Sequence, residues 1–210
     1  MHIVEIKGNM IPAFEKIGLI VPIDKGELFV MPTDTLWGLG VCISNPQAVK
    51  NLFRVKKRPL NIPLPMFPAD IQKAFELTGD RPSPLFRQLA EKFWPGPLTI
   101  IVQSELVFPE GLYSFGNRIG LRIPNHPIAR EIVDISRDRV LAVTSANLHG
   151  KPEPLTIEEI DKQIGEHVKI LIQSDFPMSM QPSTVIDISR GELVVLREGA
   201  ISKKEILNVS

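Results

Sequence analysis

The stretch that decides the fold is Gly26-Glu27-Leu28-Phe29-Val30-Met31, followed at once by Pro32-Thr33-Asp34-Thr35-Leu36-Trp37-Gly38-Leu39-Gly40. The first six residues are short, apolar and ended by a proline, which predicts a buried strand. Asn45 and Pro46 then have the residue types of a helix N-cap and a first helical position. The helix that begins there should end before Pro59. A buried strand, a polar turn and a helix in succession predict an α/β domain.

Apolar runs and amphipathic segments alternate along the rest of the chain and predict a twisted, mixed sheet with flanking helices. The segment Gln173–Pro182 follows neither period and is the nearest thing to a linker. The predicted strands are Leu98–Val102, Ile119–Ile123, Val140–Thr144, Thr184–Ile188 and Leu193–Leu196. The predicted helices lie near Ala69–Thr78, Pro84–Phe93, Ile128–Ser136, Thr156–Ile164 and Lys203–Leu207.

Length and composition predict one domain and exclude several kinds of protein. The 210 residues carry 24 Lys and Arg against 24 Asp and Glu, so the zero net charge argues against coating nucleic acid by bulk electrostatics. The single cysteine, Cys42, excludes an internal disulfide framework and a multi-cysteine metal site. No apolar stretch approaches the ~18 residues of a membrane span and no leader precedes the domain, so we expect a cytoplasmic protein.

Polar and charged groups gather where the first predicted strand and helix end. Thr33, Asp34 and Thr35 follow the strand, where hydroxyls and backbone N–H groups can approach a ligand, although a capped turn also explains them. Lys56 and Arg58 follow the helix and are well placed to hold phosphate or carboxylate oxygens. Basic residues at a helix C-terminus also suit the helix dipole, so both interpretations stay open.

A pair of arginines falls on one face of a later strand. Arg118 and Arg122 alternate with apolar residues, so both must find anions, either in the protein or in a ligand. His126 lies beside a proline just beyond, and we interpret it as a helix cap rather than an acid–base group.

The last candidate groups are hydroxyls, an amide and a guanidinium. Ser145 and Asn147 leave the strand Val140–Thr144 pointing the same way if the strand continues. No G-x-S-x-G turn surrounds Ser145, so covalent catalysis is not expected. Ser183 and Arg197 occupy the ends of the last two strands.

These groups predict a site that binds and orients a small anion. The sequence offers no metal-ligand cluster, no nucleophile–base pair, no G-x-x-x-x-G-K-[ST] loop and no G-x-G-x-x-G loop. Orientation and electrostatic stabilisation are therefore the catalytic means that such a site would have.

The motifs taken together resemble those of the YrdC-like threonylcarbamoyl-AMP synthases of the single-domain type. The resemblance runs from about residue 10 to residue 205, and the Lys-x-Arg and Ser-x-Asn pair is the family's signature. The matching residues are Pro32-Thr33-Asp34-Thr35, Gly38-Leu39-Gly40, Lys56-x-Arg58-Pro59, Pro95-Gly96-Pro97-x-Thr99, Arg122-x-Pro124-x-His126, Ser145-Ala146-Asn147, Pro182-Ser183-Thr184-Val185 and Arg197-Glu198-Gly199.

The resemblance implies a fold and a reaction. The fold would be an open, twisted sheet with a concave, positively charged cavity. The reaction would condense L-threonine, bicarbonate and ATP, with Mg²⁺, into threonylcarbamoyl-adenylate and pyrophosphate. Downstream proteins would then transfer the threonylcarbamoyl group to an adenosine of tRNA, and tRNA is a candidate partner of this chain.

The resemblance also implies roles for nine residues. The implied catalytic pair is Lys56, near the phosphates, and Arg58. The implied threonine-binding residues are Thr35, Arg122, Ser145 and Ser183. The implied ATP-binding residues are Arg58, Arg118, Asn147 and Arg197, and no protein ligand for a metal is implied.

Four positions depart from the family pattern. Trp37 replaces a tyrosine, and Phe67 replaces a histidine that contacts threonine in many members. Ile62 stands where a lysine or asparagine is common near the nucleotide, and Leu155 stands where a threonine is usual. The changes at Phe67, Ile62 and Leu155 keep open a divergent relative that hydrolyses nucleotide or forms another carbamoyl-adenylate. A second alternative is a non-catalytic module that binds tRNA or double-stranded RNA through the basic concave face.

Overall fold

Ten strands of the computed structural model, which describes residues 1–79, 81–114 and 116–208, belong to one sheet. In chain order they are β1 (His2–Ile6), β2 (Phe29–Met31), β3 (Gly38–Cys42), β4 (Met66–Pro68), β5 (Leu98–Gln103), β6 (Arg118–Leu121), β7 (Val140–Ser145), β8 (Ile170–Ser174), β9 (Thr184–Asp187) and β10 (Val194–Arg197).

The sheet is open and mixed, as the sequence predicts. Its order is β1-β8-β2-β3-β7-β4-β6-β5-β9-β10, so β1 and β10 are the edge strands of the described chain. Five of the nine neighbouring pairs are antiparallel and four are parallel. Strands that are distant in sequence therefore lie side by side, and the loops that leave them can meet.

Seven helices cover the sheet in the described residues. They are α1 (Ala13–Asp24), α2 (Pro46–Lys56), α3 (Ile71–Glu76), α4 (Pro84–Phe93), α5 (Pro127–Ile135), α6 (Ile157–Ile164) and α7 (Lys203–Leu207), with a short 3₁₀ turn at Gly165–His167.

Several helices begin directly after a residue whose side chain caps the helix N-terminus. The Asn45 side chain accepts from the Ala48 N–H, and Thr156 and Ser202 cap α6 and α7 in the same way. His126 caps α5 by accepting from the Ala129 N–H, so its interpretation as a cap is confirmed.

Several elements differ from the sequence prediction. Gly38 and Gly40, which belong to the stretch quoted as following the first strand, lie in a strand of their own, β3. The elements β1, β4, β8 and α1 were not predicted at all. The segment Gln173–Pro182 is not a linker, because its first residues end β8 and the rest joins β8 to β9 within the same sheet.

Two apolar clusters fill the two faces of the sheet. The larger includes the buried sides of α2, α3, α4, α6 and α7, and the smaller includes those of α1 and α5. No described helix has the length and apolar character that crossing a membrane requires. The sheet is thus held from both faces, which fixes the strand ends that carry the polar groups.

Candidate active site

A cavity of about 330 Å³ opens where the polar strand ends meet. A second, shallower hollow adjoins it, and Arg58, Ser145, Glu153 and Arg197 line both. All nine site residues predicted from the sequence line one or both: Thr35, Lys56, Arg58, Arg118, Arg122, Ser145, Asn147, Ser183 and Arg197. Two adjoining compartments with shared guanidinium groups suit two anionic molecules that must meet.

Arg122 is buried at the inner wall of the cavity. Its Nη2 donates to Asp34 Oδ1 at 2.6 Å and to Thr35 Oγ1 at 3.0 Å, and its Nε donates to the Gly96 carbonyl at 3.2 Å. Burial lowers the pKa of the guanidinium, whereas Asp34 raises it. Among the described residues Nη1 has no protein acceptor, so that nitrogen is available to a ligand anion.

The loop after β2 is held by its own hydroxyl groups. Thr33 Oγ1 donates to the Leu36 carbonyl at 2.6 Å, lies 3.0 Å from Thr35 Oγ1, and accepts from the Thr35 N–H at 3.1 Å. The capped turn considered from the sequence is therefore real, with Thr33 rather than Asp34 as its centre. It also fixes Thr35, which lines the cavity, against Arg122.

Lys56 is a buried cation that organises the turn after β7. Its Nζ donates to the carbonyls of Ser145 at 2.5 Å and Asn147 at 2.6 Å, and to Asn147 Oδ1 at 3.1 Å. Burial first, and then the Arg58 guanidinium, lower the pKa of Lys56 to about 7. Because three protein acceptors already surround the ammonium group, Lys56 lies behind the wall that carries Ser145 and Asn147.

Arg58 is positioned by the end of α2. Lys57 takes the left-handed conformation with φ 53°, which turns the chain so that Arg58 leaves the helix axis. The Arg58 Nε then donates to the Ile62 carbonyl at 2.8 Å and its Nη2 to the Pro63 carbonyl at 3.1 Å. Burial, followed by the charge of Arg197, lowers the pKa of Arg58, so an anion between the two guanidiniums would be stabilised.

Ser183 and Arg197 lie together on the opposite side of the cavity. Arg197 Nη2 donates to the Ser183 carbonyl at 2.9 Å and to its Oγ at 3.1 Å, and Thr99 Oγ1 lies 3.1 Å from the same hydroxyl. A side chain at Gly199 would place its Cβ within 2.2 Å of the Pro182 carbonyl oxygen, so only glycine fits beside this turn.

Arg118 in β6 and Arg122 just after it each form an ion pair with a carboxylate of the protein. Arg118 Nη1 bonds to Asp187 Oδ2 at 3.1 Å, and Arg122 bonds to Asp34. The anions that the two arginines need are therefore supplied by the protein itself. Both guanidinium groups nevertheless line the cavity.

Sequence reasoning missed two carboxylates. Asp34 was placed in the turn, but not as the partner of Arg122, because 88 residues separate them. Glu153 lines both compartments. Burial lowers the pKa of Lys56 and of Arg197, and the charge of Glu153 opposes this shift in both. Glu153 lies between Pro152 and Pro154, a few residues after Asn147, and this position was the sequence feature that could have placed it near the site.

The four departures from the family pattern have different surroundings. Phe67 lines the cavity with its ring centroid 5.5 Å from Arg122 Cζ, a cation–π distance. Trp37 is also a buried part of the wall. Ile62 lines the cavity and contributes its carbonyl to Arg58, whereas Leu155 is 59% exposed and lines neither compartment.

The cavity does not suit a resident metal ion. Within the described ranges no three His, Cys, Asp or Glu side chains come together as a metal-binding group. Glu153, the carboxylate that lines both compartments, stands beside Arg58 and Arg197. A cation would meet repulsion from both guanidiniums there, so no step of the chemistry is assigned to a protein-bound metal.

Known proteins resemble this chain over nearly its whole length. The family model for Sua5, YciO and YrdC proteins, described as "Telomere recombination", matches residues 22–199. The chain belongs to the Sua5/YciO/YrdC family.

Two curated members of the family show the extent of the likeness. The threonylcarbamoyl-AMP synthase of Pyrococcus abyssi is 32% identical over 187 residues, which are 89% of this chain and 54% of that protein. The putative threonylcarbamoyl-AMP synthase of Methanocaldococcus jannaschii is 35% identical over 179 residues, 84% of this chain and 81% of that protein. This chain thus spans about half the length of the Pyrococcus relative.

Solved structures of the family share the fold. Pyrococcus abyssi Sua5 complexed with L-threonine matches with a TM-score of 0.90 and 29% identity, covering 100% of this chain and 61% of that one. Escherichia coli YciO matches with a TM-score of 0.86 at 24% identity, over 98% of this chain and 100% of that one, and this likeness concerns the fold alone.

Proposed function

We propose that this chain is a threonylcarbamoyl-AMP synthase, which condenses L-threonine, bicarbonate and ATP into threonylcarbamoyl-adenylate and pyrophosphate. The observation that carries the proposal is the pair of adjoining compartments that share Arg58, Ser145 and Arg197. The relatives named threonylcarbamoyl-AMP synthase and the Sua5 complex with L-threonine support it.

Threonine would occupy the compartment around Arg122. The Nη1 of Arg122 would meet the amino acid carboxylate, while Thr35, Ser145 and Ser183 would orient the amine and the side-chain hydroxyl. Arg122 is itself fixed by Asp34 and by the Gly96 carbonyl, so its charge is preorganised for a bound anion. The apolar ring of Phe67 narrows this compartment from the side that faces Arg122.

ATP would occupy the hollow beside it. Arg58 and Arg197 would contact the phosphates, and Asn147 would complete the hollow. Arg118 lines only the first cavity, so it would reach the nucleotide from the wall of that adjoining compartment. Lys56 would act through the Ser145–Asn147 turn that it holds. Any Mg²⁺ would arrive with ATP, held by phosphate oxygens and water.

The chemistry follows from this arrangement. The threonine amine adds to the carbon of bicarbonate with loss of water, which gives a carbamate. A carbamate oxygen then attacks the α-phosphorus of ATP, and the bond to the bridging oxygen of pyrophosphate breaks. Arg58 and Arg197 would stabilise the charge that accumulates on these oxygens. The recessed cavity would protect the unstable carbamate from bulk water.

The deciding experiment measures pyrophosphate release from ATP with threonine and bicarbonate each present or omitted, together with mass spectrometry for the adenylate. Release that requires both, with the adenylate detected, supports the synthase. Pyrophosphate release that does not depend on threonine would contradict the synthase and favour a relative that hydrolyses nucleotide. No release, combined with salt-dependent RNA affinity, would favour the RNA-binding module. Transfer of the product to tRNA by downstream proteins is part of the same proposal.

A further inference from the structure

Glu153 places a negative charge in a site whose other charged side chains are lysines and arginines. It lines both compartments beside Arg58 and Arg197, and it is the one carboxylate among the described residues that line either of them. A carboxylate repels phosphate oxygens. The binding of phosphate therefore does not explain why an acidic residue stands here.

The backbone that carries Glu153 is fixed on both sides. Three hydrogen bonds fasten it: Asn147 Nδ2 to the Lys151 carbonyl, Gln163 Nε2 to the Pro152 carbonyl at 3.2 Å, and the Leu155 N–H to Glu159 Oε2 at 2.7 Å. Pro152 and Pro154 flank the residue, and each proline ring fixes its own φ angle. The side chain of Glu153 thus starts from a constrained point at the junction of the two compartments.

The charge of Glu153 is not cancelled by an ion pair. Within the part of the chain that the structure describes, no basic side chain lies at ion-pair distance from its carboxylate. Burial lowers the pKa of Lys56 and of Arg197, and the charge of Glu153 opposes this shift in both. The carboxylate is therefore near enough to influence the cationic wall, and its field also reaches a ligand held there.

Any anion that binds between Arg58 and Arg197 lies within that field. The repulsion from a fixed carboxylate grows in proportion to the charge of the ligand. Pyrophosphate concentrates several negative charges on one small molecule. The phosphate of an adenylate is esterified on one side and acylated on the other, so it carries far less charge. Glu153 therefore acts unequally on the two products of an adenylate-forming reaction.

We propose that Glu153 is a specificity-determining residue of the phosphate site, which weakens the binding of highly charged phosphates, above all pyrophosphate, and affects a nucleoside monophosphate much less. The selection by charge depends only on the surroundings of Glu153. Its consequence for catalysis rests on the proposed function: pyrophosphate would leave quickly, while the adenylate would stay in the cavity for transfer.

Calorimetric titration of inorganic pyrophosphate and of AMP into a charge series at position 153 tests the proposal. Glu153→Gln should lower the dissociation constant of pyrophosphate about fivefold, and Glu153→Lys should lower it about as much again. The dissociation constant of AMP should change about twofold or less at each step, and added salt should shrink every difference. Glu153 is exposed, so both variants should fold, and circular dichroism checks this.

Glu91→Gln is the matched control. Glu91 is exposed in α4 and lines neither compartment, so this variant should bind pyrophosphate as the wild type does. Unchanged pyrophosphate affinity in both position-153 variants, or equal changes for pyrophosphate and AMP, would overturn the proposal. Weaker AMP binding by Glu153→Gln would also overturn it, because the carboxylate would then be an acceptor for hydroxyl or amino groups of the nucleotide.

The binding series and the reaction can fail separately. Threonine-dependent pyrophosphate release by the wild type, together with a flat binding series, would remove this inference and leave the synthase. The expected binding series in a protein without threonine-dependent release would remove the synthase and leave the charge selection by Glu153. Where both hold, pyrophosphate should inhibit turnover of Glu153→Gln about fivefold more strongly than that of the wild type.

Discussion

Arg122 Nη2 donates to Asp34 Oδ1 at 2.6 Å, with side-chain exposures of 6% and 12%. The pair fastens the exit of β6 to the loop after β2, and the same Nη2 also holds Thr35 Oγ1. A charge pair this buried depends on both partners, because either one alone would be left unpaired in a poorly solvated place.

Arg122→Lys should weaken both stability and threonine use. Lysine keeps the charge but cannot reach Asp34, Thr35 and the Gly96 carbonyl from one planar group. We expect a loss of about 3 kcal/mol in the free energy of unfolding and a rise of tenfold or more in the KM for threonine. Denaturant titration and steady-state kinetics measure the two effects. Arg130→Lys on the exposed side of α5 is the control, and an equal effect there would contradict the assignment.

Arg58→Ala should lower turnover by about a hundredfold, because it removes a charge that would stabilise the reacting phosphates. The KM for threonine should change much less. Pyrophosphate release measures both quantities. Arg54→Ala is the matched control in the last turn of α2, the helix that precedes Arg58, where Arg54 is exposed and bonds to Asn51. Near-normal turnover of Arg58→Ala would remove Arg58 from the catalytic group.

Ser145→Ala should raise the KM for threonine about five- to tenfold and change the KM for ATP less, since one hydrogen bond to the amino acid is lost. The Ser145 hydroxyl donates to Asn147 Oδ1 at 2.7 Å, so some effect on the KM for ATP is expected. Ser83→Ala, which removes the cap of α4 outside the cavity, should leave both KM values unchanged. Equal rises in the KM values for threonine and ATP would contradict the assignment of Ser145 to the threonine-binding residues.

Lys56→Met should destabilise the fold by about 3 kcal/mol, because it leaves the buried carbonyls of Ser145 and Asn147 without a donor. Urea titration measures the loss. Lys50→Met, on the same helix, is the control, since Lys50 is exposed and its Nζ lies 3.7 Å from Glu110 Oε2. A loss below 1 kcal/mol for Lys56→Met, or losses of similar size for both variants, would show that the Nζ contacts contribute little.

The protonation of Lys56 can be tested by measuring, at several pH values, the difference in unfolding free energy between the wild type and Lys56→Met. Its pKa is about 7 in the folded protein against 10.5 for an unperturbed lysine, so between these values the unfolded chain binds the extra proton. The unfolding free energy of the wild type should therefore rise with pH relative to Lys56→Met, by about 1 kcal/mol per pH unit from pH 7. Measurements at pH 6, about 7.5 and about 9 decide this. A constant difference would mean that Lys56 keeps its proton throughout.

The sequence predicted those features that local chemistry determines. Asn45, Thr156 and Ser202 mark helix starts because each side chain caps a backbone N–H within a few residues. Arg118 and Arg122 were assigned to one face because the strand period is two. All nine site residues that the motifs predicted line one or both of the two adjoining compartments. Their individual roles remain predictions.

Features that depend on distant partners could not be predicted. Gly40 lies in β3, where a Cβ would lie 2.5 Å from Cζ of Phe29 on the neighbouring strand, so packing between the two strands requires glycine there. Strand β4 has three residues and includes Pro68, too short to show a period. Helix α1 is apolar on both sides and so lacks the usual one-sided pattern.

The interleaved strand order has a consequence for how the active site can arise. The contact of Lys56 with Ser145 spans 89 residues, that of Arg122 with Asp34 spans 88, and that of Thr99 with Ser183 spans 84. Each wall of the cavity therefore joins an early part of the chain to a late one. No fragment that stops short of β9 can contain a complete threonine or nucleotide compartment, so during synthesis on the ribosome binding capacity should appear in one step, near the end of translation, rather than by degrees.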